Sequence, residues 1–358
     1  MRRAVKLASA IIAATVLSGG SAVYAVAVAV PTDDFSLNLG LLLQAGHSYR
    51  FFEWRNESDD SSYFGIPEAE LRLYGRVFER VDYDLRLRGF SAVREAYVGT
   101  ELLPGFSAKI GEYFVPFGVE ATTEEGYLVC TSPTRSSDLI APGREPGLRF
   151  DYVRTSDGWP YEFGVAAGVY NNTERNVPLV DGAARVYARP IPGAETLSIG
   201  CSFYYGKEWR QFYDPRRGSS ELHFRPAPRL AGDLYFETWR LKFGVEYLEY
   251  MVQEMLIDFR GLEPIYKDDY YRGGFATAGY NHPLPWRYLE AVEPYLRYER
   301  YDPAVFSRGY SPEDRYTGGF ALYFIGRNLM FKADYTRILE EEQRCTNDEI
   351  ESLFQVMF

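Results

Sequence analysis

Apolar and polar residues alternate with a period of two along most of the chain. In FSLNLGLLLQAG, Phe35, Leu37, Leu39, Leu41 and Leu43 share one face. In AELRLYGRVF, Ala69, Leu71, Leu73 and Val77 face one way, and Glu70, Arg72, Tyr74 and Arg76 the other. VDYDLRLRGF sets Tyr83, Leu85 and Leu87 against Asp84, Arg86 and Arg88. Successive side chains of a strand point to opposite faces, so strict alternation predicts strands with one greasy and one wet face. Sixteen are predicted, near 35–46, 66–78, 81–90, 94–102, 106–114, 146–154, 160–170, 182–189, 196–206, 228–237, 239–252, 270–280, 290–301, 315–325, 329–339 and 350–358. Each is close to the ~9–11 residues that a tilted membrane-crossing strand needs, and several are longer. Helical periodicity is not evident after the N-terminal segment.

The connections add a second signal. After even-numbered strands they are mostly tight, as in ERVD, LPGF, TSDGWP, PIPGAE and IGRNL. After odd-numbered strands they are mostly longer and polar, as in RNESDDSSY, NNTERNVPLVDG, YDPAVFSRGYSPED and EEEQRCTND. Short turns on one rim and long loops on the other are the layout of an outer-membrane barrel. One connection stands apart: about thirty residues separate Phe114 from Pro146. A loop this long needs a reason, and in a wide barrel folding inward to narrow the lumen supplies one.

The chain begins as an exported protein does. Arg2, Arg3 and Lys6 precede a short apolar run, Leu7 to Gly20, and SAVYA offers a small-residue cut after Ala25. The expected organisation is a secretory signal peptide at 1–25 and a barrel domain at 26–358. Removing three basic residues takes the formal charge from −11 to −14, which argues against nucleic acid as a partner. Aromatic residues reach 16%, with 30 Tyr and 24 Phe, which fits lipid-facing strands with aromatic girdles. Trp159, Trp239 and Tyr298 suit such girdles; Tyr161, Phe163, Val165 and Val169 exemplify an outward face. No later apolar stretch is long enough for a spanning helix.

The inward faces carry both signs of charge. Arg72, Arg76, Arg86, Arg88, Lys109, Arg149, Arg185 and Arg297 stand against Glu70, Asp84, Glu95, Glu101, Asp151, Glu162 and Glu299. A wet lumen accommodates such ions, whereas a dry core would penalise each unpaired one by several kcal/mol. They serve either as pore wall or as ion-pair bracing. The long connection holds Glu120, Glu124, Glu125, Asp138 and Glu145 against Arg135 and Arg144, a set expected to act as a constriction. No metal, redox or nucleophilic motif is visible among Cys130, Cys201, Cys345 and the three histidines, so neither cofactor nor catalysis is expected. Cys201 falls on the lipid face; Cys130 and Cys345 fall in long-side loops, and a disulfide between them is an open expectation.

REAYVGTELLPGFSAKIGEYFVPFGVE, followed by IAPGREPGLRFDY, resembles the phosphate-selective porin O and P family. The resembling features are Ala96–Tyr97, the LPG turn at Leu103–Gly105, Gly111, the PFG at Pro116–Gly118 with Glu120, and the PGR at Pro142–Arg144. Later, EPYLRYERYDP and the closing strand also look like that family. The resemblance implies a sixteen-stranded, typically trimeric outer-membrane porin with its third loop folded into the pore. Anion or cation preference stays open, because the loop here is predominantly acidic while the wall carries arginines that can guide anions.

The expected fold is thus an all-β transmembrane antiparallel barrel in the bacterial outer membrane. The expected function is passive diffusion of small hydrophilic solutes or ions. The alternatives are a structural or receptor barrel of little conductance and a secreted soluble β enzyme. The chain ends in SLFQVMF, an alternating stretch expected to pair with the first strand and remove the sheet's edges. Its Phe358 resembles the signal read by the barrel-assembly machinery. Leu353 and Met357 interrupt the polar inward face, so that part of the wall is expected to touch the inserted loop or a neighbouring subunit.

Overall fold

The computed structural model describes residues 35–54, 57–58, 60–89, 92–156, 159–171, 180–191, 196–214, 219–238, 240–257, 264–303, 311–341 and 347–358. The expected signal segment lies outside them, as do Trp239 and Cys345. The wall strands are β1 Phe35–Arg50, β2 Ser61–Val77, β3 Val81–Arg88, β4 Ala92–Leu103, β5 Phe106–Phe114, β6 Arg144–Ser156, β7 Trp159–Asn171 and β8 Val180–Ile191. They continue as β9 Thr196–Asp214, β10 Ser219–Glu237, β11 Leu241–Ile257, β12 Pro264–Tyr280, β13 Ala291–Asp302, β14 Glu313–Ile325, β15 Leu329–Glu340 and β16 Glu349–Met357. All sixteen expected strands are present, each antiparallel to its sequence neighbours.

The sheet closes on itself. β1 pairs with β2 on one side and with β16 on the other, from Leu42 opposite Met357 to Arg50 opposite Glu349. Phe358 completes the seam: its N–H donates to Leu41 O at 3.0 Å, and its carbonyl accepts from Leu41 N at 2.7 Å. Closure satisfies the backbone groups that an edge would expose, the condition for a sheet to stand in lipid. A two-residue strand, His282–Pro283, pairs with β13 outside the ring, and a small hairpin, Glu53–Trp54 with Glu57–Ser58, follows β1.

Burial follows the alternation. On β13, Glu293, Tyr295, Arg297, Glu299 and Tyr301 are buried while Leu296, Tyr298 and Arg300 are exposed. Leu43, Ile110, Phe150, Val186, Ile199, Leu230, Phe243, Phe320 and Phe354 are likewise exposed on the outer face, and Cys201 joins them. An apolar band on the outside of a closed sheet is what a lipid environment solvates. No helix among the described residues is long and apolar enough to cross a membrane.

Two differences from the sequence reading are informative. First, β9 to β12 run far past the expected 196–206, 228–237, 239–252 and 270–280. Their ladders are continuous, as from Thr196 opposite Glu237 to Asp214 opposite Ser219. The hydrogen-bonded ladder persists there, although alternation in the sequence fades. Second, a helix, α1 (Arg135–Ile140), and two short 3-10 turns, Glu120–Thr122 and Glu125–Tyr127, form inside the long loop. Six residues are too few for helical periodicity to register.

Candidate functional site

Residues 115–143 connect β5 to β6 and fold into the barrel, where the wall holds their backbone. Gly118 N donates to Ser202 Oγ on β9 at 3.2 Å. Val119 N and Glu120 N donate to the Glu246 carboxylate on β11 at 3.0–3.2 Å. Gly118 sits at φ +70, and a Cβ there would lie 2.1 Å from Glu246 Oε1, so this close approach requires glycine. Further round, Thr131 N donates to Asp334 on β15 at 3.0 Å, and Ser132 Oγ to Glu351 on β16 at 2.6 Å. At the start of α1, Ser136 N and Ser136 Oγ both donate to Glu299 on β13 at 2.7 Å. The N-cap Thr134 accepts from Ser137 N.

Wall donors take the loop's carbonyls in return. Lys332 donates to Leu128 O and to Cys130 O, Arg297 to Ser132 O at 2.8 Å, and Arg229 to Ile140 O at 3.0 Å. Gln355 Nε2 donates to Gly126 O at 3.2 Å, and a Cβ on Gly126 would lie 3.2 Å from Met357 Sδ. The inward side of the last strand therefore touches the inserted loop through Gln355 and Met357, as expected of Met357. Tyr113, Val115, Phe117, Ile140, Tyr170, Tyr204 and Leu248 belong to a buried apolar cluster between loop and wall. The loop is a packed element, held by polar ties at many points of the circumference.

The expected constriction residues are distributed as follows. Glu120 accepts from Thr134 N at 2.9 Å and lies 3.8 Å from Arg297. Burial raises its carboxyl above the ordinary range, against the opposing pull of Arg297. Glu124 pairs with Arg86 at 2.7 Å, Glu125 with Arg94, and Arg135 with Glu313 at 2.6 Å. Arg144 pairs with Glu95 at 2.7 Å, and buried Glu145 accepts from Tyr204 Oη at 3.0 Å. These last two begin β6 rather than end the loop, because the ladder with β5 extends to Phe114 opposite Arg144. Of the seven, Asp138 alone is exposed.

The wall set divides. Arg76 and Arg88 keep exposed side chains, paired with Asp82 and Glu68. Arg72 binds Asp84 through two nitrogens, Arg149 pairs with Asp151, and Arg185 with Asp233. Lys109 lies over the Tyr97 ring at 5.3 Å. The picture of a wet lumen needs correcting for Glu70, Asp84, Arg86, Glu95, Arg297 and Glu299, which are only 1–7% exposed. The loop covers them, and dense pairing offsets their desolvation. Arg86 alone lies within 4 Å of Glu70, Asp84, Glu95 and Glu124.

Arg94, Glu246, Lys332 and Asp334 were missed from sequence; strand phase places the last three inward, whereas Arg94 sits at a register shift opposite Arg86 and Leu87 that brings it to the same side as its neighbour Glu95. Leu248 in phase with Glu246, and Met330 with Lys332, marked walls that something apolar must cover. Cys130 is buried beside Ala291, Tyr323 and Met330, deep in the barrel rather than at a loop tip, because the loop turns inward. Burial pushes its thiol up to about 12. Its thiol is free, and the expected partner Cys345 lies outside the described residues.

Between the loop and β8 to β12 lies a cavity of about 790 Å³ at the short-turn end. Tyr127, Arg185, Tyr187, Arg189, Tyr235, Glu237, Lys242 and Arg327 help to line it. A smaller space of about 320 Å³ lies on the long-loop side, lined by Arg135, Glu313 and Arg315 among others.

No protein-family model matches the chain, and no curated protein matches it. Solved structures do. The outer-membrane channel DcaP of Acinetobacter baumannii is 12% identical, with 92% of this chain and 99% of that one covered at a TM-score of 0.59. An anion-selective porin from Comamonas acidovorans is 11% identical, covering 91% of this chain and all of that one at 0.57. OmpF of Salmonella typhi, in complex with daunomycin, is 13% identical, with 91% and 98% covered at 0.57. The chain has the fold of outer-membrane porins.

Proposed function

We propose that this chain is an outer-membrane porin, a non-enzymatic channel through which small hydrophilic solutes or ions diffuse passively. The observation that carries the reading is the loop of residues 115–143, bound inside a closed barrel by Glu246, Glu299, Asp334 and Glu351. A fixed loop narrows a lumen and places a charged surface beside the permeating path. Selectivity is then set by Glu120, Glu124, Glu125, Arg135, Asp138, Arg144 and Glu145 with the wall arginines. On this reading residues 1–25 direct export, 26–358 form the barrel, and Phe358 is read by the assembly machinery. A homotrimer in outer-membrane lipid is the assembly we favour, as one solved neighbour, OmpT of Vibrio cholerae, is described in a trimer form. Kinship with the phosphate-selective porin O and P family is the narrower form of this proposal and rests on the motifs around 94–151.

Planar-bilayer recording of the purified protein tests the channel, with stepwise conductance expected. Its absence sinks the porin reading and favours a structural or receptor barrel. The apolar cluster of Val115, Phe117, Ile140 and Leu248 inside the lumen supports that second reading, since it closes part of the cross-section.

A further inference from the structure

The cavity of about 790 Å³ beneath the loop lies within the roughly 300–1,000 Å³ of small-molecule sites. Its ionic groups are matched. Arg185 lies 2.6 Å from Asp233, Arg189 2.8 Å from Glu162, and Lys242 2.6 Å from Glu293. Glu120 is engaged by Thr134 and faces Arg297. The two remaining lining charges, Arg327 and Glu237, are of opposite sign. Among the described residues, the lining itself carries four cations and two carboxylates, and the partners Asp233, Glu162, Glu293 and Arg297 bring the count to five of each sign, so the site presents many hydrogen-bonding groups and its charges balance.

Aromatic rings complete it. Tyr127 projects from the loop, 45% exposed, with the Arg327 guanidinium 5.4 Å from its ring centre. Tyr235 stands on the wall. Its hydroxyl donates to Glu246, and its ring packs beside Gly244, where a Cβ would come within 2.6 Å of it. The ring thus packs closely beside backbone and borders the cavity.

An inorganic anion needs a surplus of cations, and a cation a surplus of carboxylates. A neutral polyhydroxylated ring has different needs. It needs donors and acceptors in fixed pairs for its hydroxyls and aromatic faces for its C–H surface. We infer that this vestibule is a binding subsite for a neutral sugar-like solute. The inference rests on the porin reading, whose substrate class it names.

The test uses the full chain in planar bilayers, with maltose and inorganic phosphate as probes at matched ionic strength. Maltose is expected to lower the conductance saturably, and phosphate to act no more strongly than chloride. Tyr127→Ala and Tyr235→Ala should each weaken the maltose effect about tenfold, while Tyr235→Phe retains it; circular dichroism verifies that each variant is folded. Stronger block by phosphate than by maltose, or maltose block indifferent to both alanine variants, overturns the proposal. If no conductance steps appear, the porin reading fails. Calorimetry of the detergent-solubilised chain then decides the subsite alone: maltose binding lost on Tyr127→Ala upholds it, and absence of binding overturns it.

Discussion

At the scale of single residues, the loop's position depends on a few acceptors. Glu246 serves two backbone N–H groups, Val119 and Glu120. Glu246→Ala leaves both without a partner, at about 1–3 kcal/mol each. The expected outcome is a lower thermal midpoint and an altered conductance; an unchanged midpoint would show that the tie contributes nothing. Cys130 reports the same docking chemically. In a Cys201→Ser, Cys345→Ser background, a hydrophilic maleimide should leave the native protein unlabelled at neutral pH and label it after unfolding, because burial holds the thiol protonated at about 12. Glu120 adds a pH dependence. Its folded value is raised above the ordinary 4.5, so the folded state binds more protons than the unfolded one between the two values. Its contribution to stability is complete below the unfolded value and is lost as pH rises through the folded one. The midpoint of Glu120→Gln minus that of the natural chain should therefore grow from pH 4 toward neutral; a flat difference refutes the assignment. Such residues were only partly legible. Strand phase shows that Glu246 points inward, but nothing local shows which loop atom it meets 127 positions earlier in sequence.

At the scale of elements, alternation was a sufficient guide wherever one face meets lipid. β13 and β16 were legible because oil on one side and charge on the other imprint a period of two on the sequence. The extensions of β9 and β10 were not. Beyond Gly206, residues 207–214 pair in register with 219–226, yet KEWRQFYD and SSELHFRP carry no clean apolar face. Strand structure there comes from the partner's hydrogen bonds, not from the sequence's own pattern. The loop of residues 115–143 was legible as an inward-folding element from its length, whereas its covering of the wall ions was not. Replacing residues 119–141 with a short glycine-serine linker removes the tied segment and the helix α1. Single-channel conductance should rise several-fold, since the lumen of sixteen strands is wide enough for water. An unchanged conductance would mean that the loop is not the narrowest point.

At the scale of the whole molecule, net charge and pore charge separate. The mature chain is expected to carry a formal −14, a value that taken alone predicts attraction of cations. Inside the barrel the ledger is different. Glu124 meets Arg86, Glu125 meets Arg94, Glu95 meets Arg144, and Asp233 meets Arg185, each within 3 Å. A carboxylate bound this closely to a guanidinium projects a dipole rather than a charge, and a dipole's field fades quickly with distance. Some exposed inward groups, such as Arg76 with Asp82 and Arg88 with Glu68, are paired as well. Ion preference should therefore be weak, with a reversal potential near zero across a salt gradient. Arg86→Gln breaks the balance by freeing Glu124 and the acidic groups around it, so the reversal potential should move toward cation preference. A strong chloride or phosphate preference in the natural chain would mean that cations outside the described pairs govern the path. It would restore the phosphate-selective reading that the motifs around 94–151 favour and that the acidic loop opposes.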